Sequence, residues 1–230
     1  MLKGLGKALQ DAIDGSEKPL PSKPASATLL SVPRRRILEY LCLRPFSTIG
    51  RIASELKMSP SSVTWHLREL ISAGYVMHRR ETKVYYPKDF VDTEDFNLFI
   101  IAHAPKRGEI LRQILDSPGI TQSSLADATS ISRQTAGKIA LEFEKLELVI
   151  KVEDGRLVRW YPTDLLKYKQ ESQKARSRAY IEAFIERLER EGQTPQILRR
   201  TETEFQVRLG RGRDRGILSI PLDPYGALLS

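Results

Sequence analysis

The sequence predicts a mainly helical α+β protein with small β-hairpins, built around two tandem copies of one unit. Three observations carry that prediction. Residues recur at a fixed offset through the middle of the chain, helix-start signals fall at the same place in each copy, and two short β-rich runs close each copy.

Ile37-Leu38 matches Ile110-Leu111, Pro45 matches Pro118 and Thr48 matches Thr121, an offset of 73. The same offset pairs Ile52-Ala53 with Leu125-Ala126, Met58-Ser59 with Ile131-Ser132, and Tyr75-Val76 with Leu148-Val149. It then becomes 75, pairing Tyr86-Pro87 with Tyr161-Pro162 and Asp89 with Asp164. The two extra residues fall between the last two β-rich runs, where a hairpin tip tolerates insertion.

Within the first copy, a helix over about 33–43 places Ile37, Leu38 and Leu41 on one stripe. A second helix starts near Thr48 and buries Ile52 and Leu56. The turn Lys57-Met58-Ser59 leads into a third, with Val63, Leu67, Leu70 and Ile71 on its inner face. Ser59 is a good N-cap, Pro60 suits the first helical position, and Gly74 marks the end. Runs at 75–78 and 83–86, separated by 79–82, form a hairpin. In the second copy Thr121 opens one helix, Ser132 caps the next, and 149–152 pairs with 157–161. The turn there contains Asp154-Gly155, residue types that accept positive φ. Three helices and a hairpin, with a short turn between the last two helices, make a winged helix-turn-helix.

The flanks differ from the copies. Residues 1–32 are expected to be a flexible N-terminal segment and linker. Pro19, Pro21, Pro24 and Pro33 lie among Ser and Ala from 15 to 33, and Leu2, Leu5, Leu9 and Ile13 read either as a short amphipathic helix or as disorder. The units are placed at 33–91 and 107–164, joined by a connector at 92–106. Residues 165–230 are assigned to dimerisation or partner contacts. A long polar helix from Leu165 to Glu191 carries Tyr180, Ile181, Phe184, Ile185 and Leu188 on one face. A strand pair at 204–209 and 216–222 follows, around the loop Arg211-Gly212-Arg213-Asp214-Arg215.

Lys and Arg outnumber Asp and Glu by 37 to 29, a net +8 that favours a polyanionic partner. The surplus is local: residues 31–91 hold eleven basic and five acidic residues, whereas 107–164 hold eight and nine. Cys42 is the only cysteine, which excludes an internal disulfide and a thiolate metal cage, and its apolar neighbours read as core. His66 and His78 lack ligands at metal spacing; His66 reads as a helix-surface or packing residue and His103 as a linker residue. No metal or cofactor is expected. No run reaches the ~20 apolar residues of a membrane span, and the N-terminus lacks a signal-peptide pattern, so the expected location is the cytoplasm, away from membranes.

In a helix-turn-helix the third helix enters the major groove with its N-terminal residues nearest the base edges. The first copy offers Ser61, Ser62, Thr64, Trp65 and Arg68 there. The hydroxyls suit phosphate contact or mere capping, Arg68 suits a guanine edge or a phosphate, and Trp65 reads equally as DNA contact or as packing. The wing adds Arg79, Arg80 and Lys83. The second copy offers Arg133, Gln134, Thr135 and Lys138, with Arg156 and Arg159 in its wing. Glu142, Glu144 and Glu147 late in its third helix would repel phosphate if they face it, so the first unit is the stronger DNA binder on charge.

The residues Ile52-Ala53, the run Ser59-Pro60-Ser61-Ser62-Val63-Thr64-Trp65-His66-Leu67-Arg68-Glu69-Leu70, and Gly74-Tyr75-Val76 resemble MarR/ArsR-type winged-helix regulators. More narrowly, they resemble the tandem winged-helix regulators common in archaea. The resemblance spans about 33–164. It implies that the helix starting at Ser59 reads DNA and that the hairpin around Arg80 flanks it. ArsR-type relatives sense metals through cysteine clusters that this chain lacks. Some archaeal relatives activate surface-appendage operons or recruit a general initiation factor.

The expected function is a promoter-binding transcription regulator acting on double-stranded DNA, with a second copy of the chain as partner through the 165–191 helix. The alternative is an interaction module that recruits a general transcription factor or RNA polymerase without reading bases. An enzyme is disfavoured, because no Gly-rich phosphate loop, metal cluster or nucleophile elbow occurs.

Overall fold

The computed structural model describes residues 25–210 and 215–228. The amphipathic reading of residues 1–13, most of the proline-rich linker and the Arg211–Asp214 part of the C-terminal loop lie outside them.

The first three helices are α1 (Val32–Leu43), α2 (Ile49–Leu56) and α3 (Pro60–Ser72). Both later starts are capped as their sequences require. Thr48 accepts from the Arg51 N–H, and Ser59 Oγ accepts from the Ser62 N–H at 3.2 Å, satisfying donors that a helix N-terminus leaves unpaired. Lys57, in the left-handed conformation at φ +54°, turns the chain between α2 and α3. Strands β1 (Ser47–Thr48), β2 (Val76–Arg79) and β3 (Val84–Pro87) form a sheet in the order β1-β3-β2. Ile37, Leu38, Leu41, Ile52, Val63, Leu67 and Leu70 are buried together with Val76 and Val84. Ile71, expected on the inner face of α3, is 36% exposed, because a helical step of one residue past Leu70 rotates it out of the stripe.

A connector helix, α4 (Phe96–Ala102), leads to α5 (Pro105–Asp116), α6 (Gln122–Thr129) and α7 (Arg133–Glu144). With β4 (Ile120–Thr121), β5 (Val149–Asp154) and β6 (Leu157–Pro162), the order of elements is that of the first unit, and the second sheet runs β4-β6-β5. Left-handed backbone occurs at Phe46, Lys57 and Gly74 in the first region and at Gly119, Ser130 and Glu147 in the second, 73 residues on in each case. The registers correspond as well: Ser47 faces Tyr85, and Ile120 faces Trp160.

The last helix, α8 (Leu165–Arg190), is followed by β7 (Gln196–Arg200), β8 (Glu204–Leu209) and β9 (Gly216–Pro221), in the order β7-β8-β9. The apolar face of α8 is used inside the chain. Phe184 packs against Tyr75 (ring centroids 5.6 Å) and Phe205 (6.5 Å), and Tyr180 against Phe90 (4.9 Å). Gln173 Nε2 donates to the Phe90 carbonyl at 3.0 Å, Tyr75 donates to Glu191 at 2.8 Å, and Arg187 donates to the Gly74 carbonyl. Within the chain, the apolar area of this face is covered by the first unit and the C-terminal sheet.

Strand β9 lies along α1, where Glu39 Oε1 accepts from the Ser219 N–H at 2.8 Å. Burial raises the Glu39 carboxyl above its ordinary range despite that bond. The linker reading is corrected at its C-terminal end. Residues Ala25–Leu30 form a 3₁₀ turn, Leu29 is buried, and Arg35 Nη1 donates to the carbonyls of Leu29 (2.9 Å) and Leu30 (2.7 Å). Cys42 is buried as expected, and desolvation raises its thiol pKa.

Candidate nucleic-acid interface

The outward face of α3 is open. Ser61 and Arg68 are exposed, Ser62 and Thr64 half-buried, and none is sealed under another part of the described chain. Two of the hydroxyls are engaged locally. Ser61 Oγ lies 3.1 Å from Ser59 Oγ, and Thr64 donates to the Pro60 carbonyl at 2.8 Å. A hydroxyl that donates inward still presents its lone pairs outward.

Trp65 is 52% exposed and is held by its own neighbourhood rather than by the wing. Its ring meets His66 edge-on at 4.7 Å, and the Arg34 guanidinium sits 5.2 Å from its centroid, within cation–π range. Arg34, from α1, also approaches Glu69 at 3.9 Å. It thereby joins the edge of the α3 surface, which the sequence reading missed; no local pattern links position 34 to position 65. His66 is buried, and burial followed by the Arg34 charge lowers its pKa.

Arg68 stands close to the wing. Burial raises the Tyr85 hydroxyl above its ordinary range, and the Arg68 charge pulls it back. Tyr85 stacks on His78 with centroids 4.4 Å apart and planes 6° from parallel, stiffening the strand pair beneath the wing tip. At the tip Arg80 and Lys83 are exposed, and neither makes an ion pair or side-chain hydrogen bond among the described residues. Lys83 adopts φ +55°, a turn conformation. Arg79 is placed differently: its guanidinium lies 4.4 Å over the Phe96 ring of α4, so it is tied to the connector. An open groove of about 730 Å³ runs beside the wing between His78, Arg80 and Asn97.

In the second region Arg133, Gln134, Thr135 and Lys138 are all exposed on α7. Ser132 caps this helix, accepting from the Thr135 N–H at 3.1 Å, and its Oγ lies 2.8 Å from the Thr135 hydroxyl. The acidic residues that would repel phosphate are mostly turned to other tasks. Glu142 holds Arg107 of α5 through two bonds of 2.7 and 3.2 Å, and Glu144 accepts from the Lys151 N–H at 3.1 Å. Glu147 lies beyond the end of α7, in the turn before β5. The wing charges pair with one another: Lys151 with Glu153 at 2.7 Å, and Arg159 with Asp154 at 2.8 Å. Arg156, at the tip, is exposed.

His103 is corrected from a linker residue to a buried one at the C-terminus of α4. Among the described residues, no group of three or more His, Cys, Asp or Glu is placed to hold a metal ion, and no helix is long and apolar enough to cross a membrane.

Residues 33–77 match the family model described as winged helix-turn-helix DNA-binding. The match takes in all three helices of the first winged helix and the start of its wing. A protein of Methanocaldococcus jannaschii, described as an uncharacterized HTH-type transcriptional regulator, is 27% identical over 143 residues. That alignment covers 61% of this chain and 36% of the relative, so the chain spans about a third of that protein's length. Both matches support the resemblance to winged-helix regulators carried by Ser59–Leu70. A crystal structure of a protein from Corynebacterium diphtheriae aligns at 20% identity over 56% of this chain and 26% of that one; its TM-score is 0.23, too low for any argument.

Proposed function

We propose that this protein is a transcription regulator that binds double-stranded promoter DNA through the first winged helix, by the N-terminal half of α3 and the wing tip. The observation that carries the reading is the pairing state of its cations. Arg68, Arg80 and Lys83 are exposed and without ion-pair partners among the described residues, next to a capped helix N-terminus whose amide donors suit an anion. Ser61, Ser62 and Thr64 would then contact phosphates. Arg68 would reach a base edge or the backbone beside it, and Trp65 would flank the groove with Arg34. Arg79, held over Phe96, would set the angle of the wing.

The second region is read as a copy of the same unit, on the strength of its shared element order, sheet order and left-handed positions. On this reading the units occupy 33–91 and 107–164, joined by 92–106, and 165–230 buttresses the first unit. Arg133, Gln134, Thr135, Lys138 and Arg156 would assist on the DNA. A role for the second unit in assembly is favoured by its wing, where Ile150 (49%), Val152 (40%) and Leu157 (42%) lie exposed. The partner in such an assembly would be a second copy, a general transcription factor or RNA polymerase.

The test is genome-wide occupancy mapping followed by footprinting on the recovered fragments. The reading expects a protected site that is lost when Arg68→Ala and Arg80→Ala are combined. Recovery of polymerase or an initiation factor in a pulldown with no footprint would instead make the protein an interaction module.

A further inference from the structure

Between the two winged regions lies a cleft of about 370 Å³ that the DNA-binding reading does not use. Arg44 and Arg51 line it from the first region, and Arg112 of α5 lines it from the other side. All three are half-buried, and none forms an ion pair or side-chain hydrogen bond among the described residues. Arg112 Nε is buried without a partner. Glu109, the one carboxylate among the described residues of the lining, is held by Lys106 at 3.0 Å.

His103 supplies a second, independent observation. It lines the same cleft, is 5% exposed, and its Nε2 is buried with no hydrogen-bond partner. Buried polar atoms are normally satisfied, so an orphan beside three guanidinium groups marks a position where a polar ligand atom is missing. Burial first, and the Arg44 and Arg51 charges next, push the imidazole down to about 3, so the ring stays neutral and offers a hydrogen bond rather than a charge. The wall is also shaped by a close approach. A Cβ on Gly108 would stand 2.5 Å from the Ala102 carbonyl oxygen, so glycine there lets α5 pack tightly under α4.

We propose that this cleft binds a small organic anion presenting a phosphate or carboxylate group, gripped by Arg44, Arg51 and Arg112 and hydrogen-bonded to His103. Three guanidinium groups around one compact oxyanion give forked, charge-assisted bonds that no other common ligand chemistry uses as fully. Because the arginines come from both winged regions, the bound anion ties them together and restricts how the two α-helical surfaces, α3 and α7, are presented. The site would make the regulator responsive to a metabolite. It stands whether or not the first unit proves to be the main DNA surface.

The experiment uses the full chain without DNA and inorganic phosphate as the probe, against chloride at matched ionic strength. Phosphate is expected to raise the unfolding midpoint above the chloride value and to give a saturable isotherm in titration calorimetry. Arg44→Ala and Arg112→Ala should each weaken that binding about tenfold or more, the loss of one charge-assisted contact. Arg112→Lys should retain part of it. If Arg112→Ala does not fold, Arg51→Gln is read instead. Equal midpoints in phosphate and chloride, or binding undiminished in folded variants, overturns the proposal. So does a result in which the variants lower only the affinity and salt slope for DNA, because the arginines would then be ligands of the DNA backbone.

Discussion

The first winged helix and the region from Pro105 to Pro162 share an order of elements, a sheet order and a set of left-handed turns, yet they differ in how part of their charge is paired. In the first, the cations of α3 and the wing tip stand unpaired among the described residues, and the back of the unit is covered by α8 and β9. In the second, Lys151, Arg159 and Arg107 are each matched with a carboxylate, and the outer wing face shows aliphatic side chains to solvent. One backbone plan thus supports two surfaces, because the plan rests on buried aliphatic positions while surface chemistry varies independently. The first presents Arg68, Arg80 and Lys83 without ion-pair partners among the described residues. The second pairs Arg107, Lys151 and Arg159 internally and leaves Arg133, Lys138 and Arg156 exposed.

Single substitutions test this difference. The largest effect expected is on the buttress behind the first unit. Phe184→Ala should cost about 3–5 kcal/mol in chemical denaturation, as for a large aromatic removed from a packed site, with the oligomeric state by sedimentation unchanged. A small loss accompanied by conversion of a dimer to a monomer would show that the helix face works between chains.

The seam between the regions should be acid-sensitive. His103 has a folded pKa near 3 against an ordinary 6.5, so the folded state binds fewer protons than the unfolded one in that window. Its contribution is complete above about 6.5 and is lost as pH falls toward 3, about 2 kcal/mol by pH 5 if the shift is fully expressed. His103→Gln should flatten the stability–pH curve between pH 7 and 5; a curve of unchanged slope would place the acid sensitivity elsewhere.

The helix caps should behave alike in the two regions. Ser59→Ala and Ser132→Ala are each expected to cost about 1 kcal/mol, since both serines accept from the third residue on. A large difference between them would mean that the two third helices are stabilised differently. The smallest effect is expected from Arg107→Ala. The Arg107–Glu142 pair is bidentate but partly solvated, so its loss should change stability by less than about 1 kcal/mol. It should, however, leave Glu142 uncompensated and weaken whatever DNA affinity the second unit has.

Much of this architecture was legible because it depends on local signals. The stripes Ile37-Leu38-Leu41 and Val63-Leu67-Leu70, the caps Ser59 and Ser132, and the Asp154-Gly155 turn each act within a few residues of themselves. Two-residue strands such as Ser47–Thr48 carry no periodicity to read, and Gln196–Arg200 is exposed throughout, so alternation could not announce it. The site was legible in its residue types but not in their commitments. Arg79 over Phe96, Arg159 on Asp154 and Arg34 beside Trp65 are long-range or through-space pairings that a linear pattern does not encode. The same holds for α8: its apolar face was plain, and its partner was not.

The central claim is that the first unit supplies the phosphate-facing charge. The most direct test compares Arg68→Ala/Arg80→Ala with Arg133→Ala/Arg156→Ala, measuring duplex binding by fluorescence anisotropy across a salt series. The first pair is expected to lower affinity about 10- to 100-fold and to reduce the salt slope by about 2, and the second to change affinity by less than about 3-fold. A larger effect from the second pair, or an unaltered slope in the first, would contradict it.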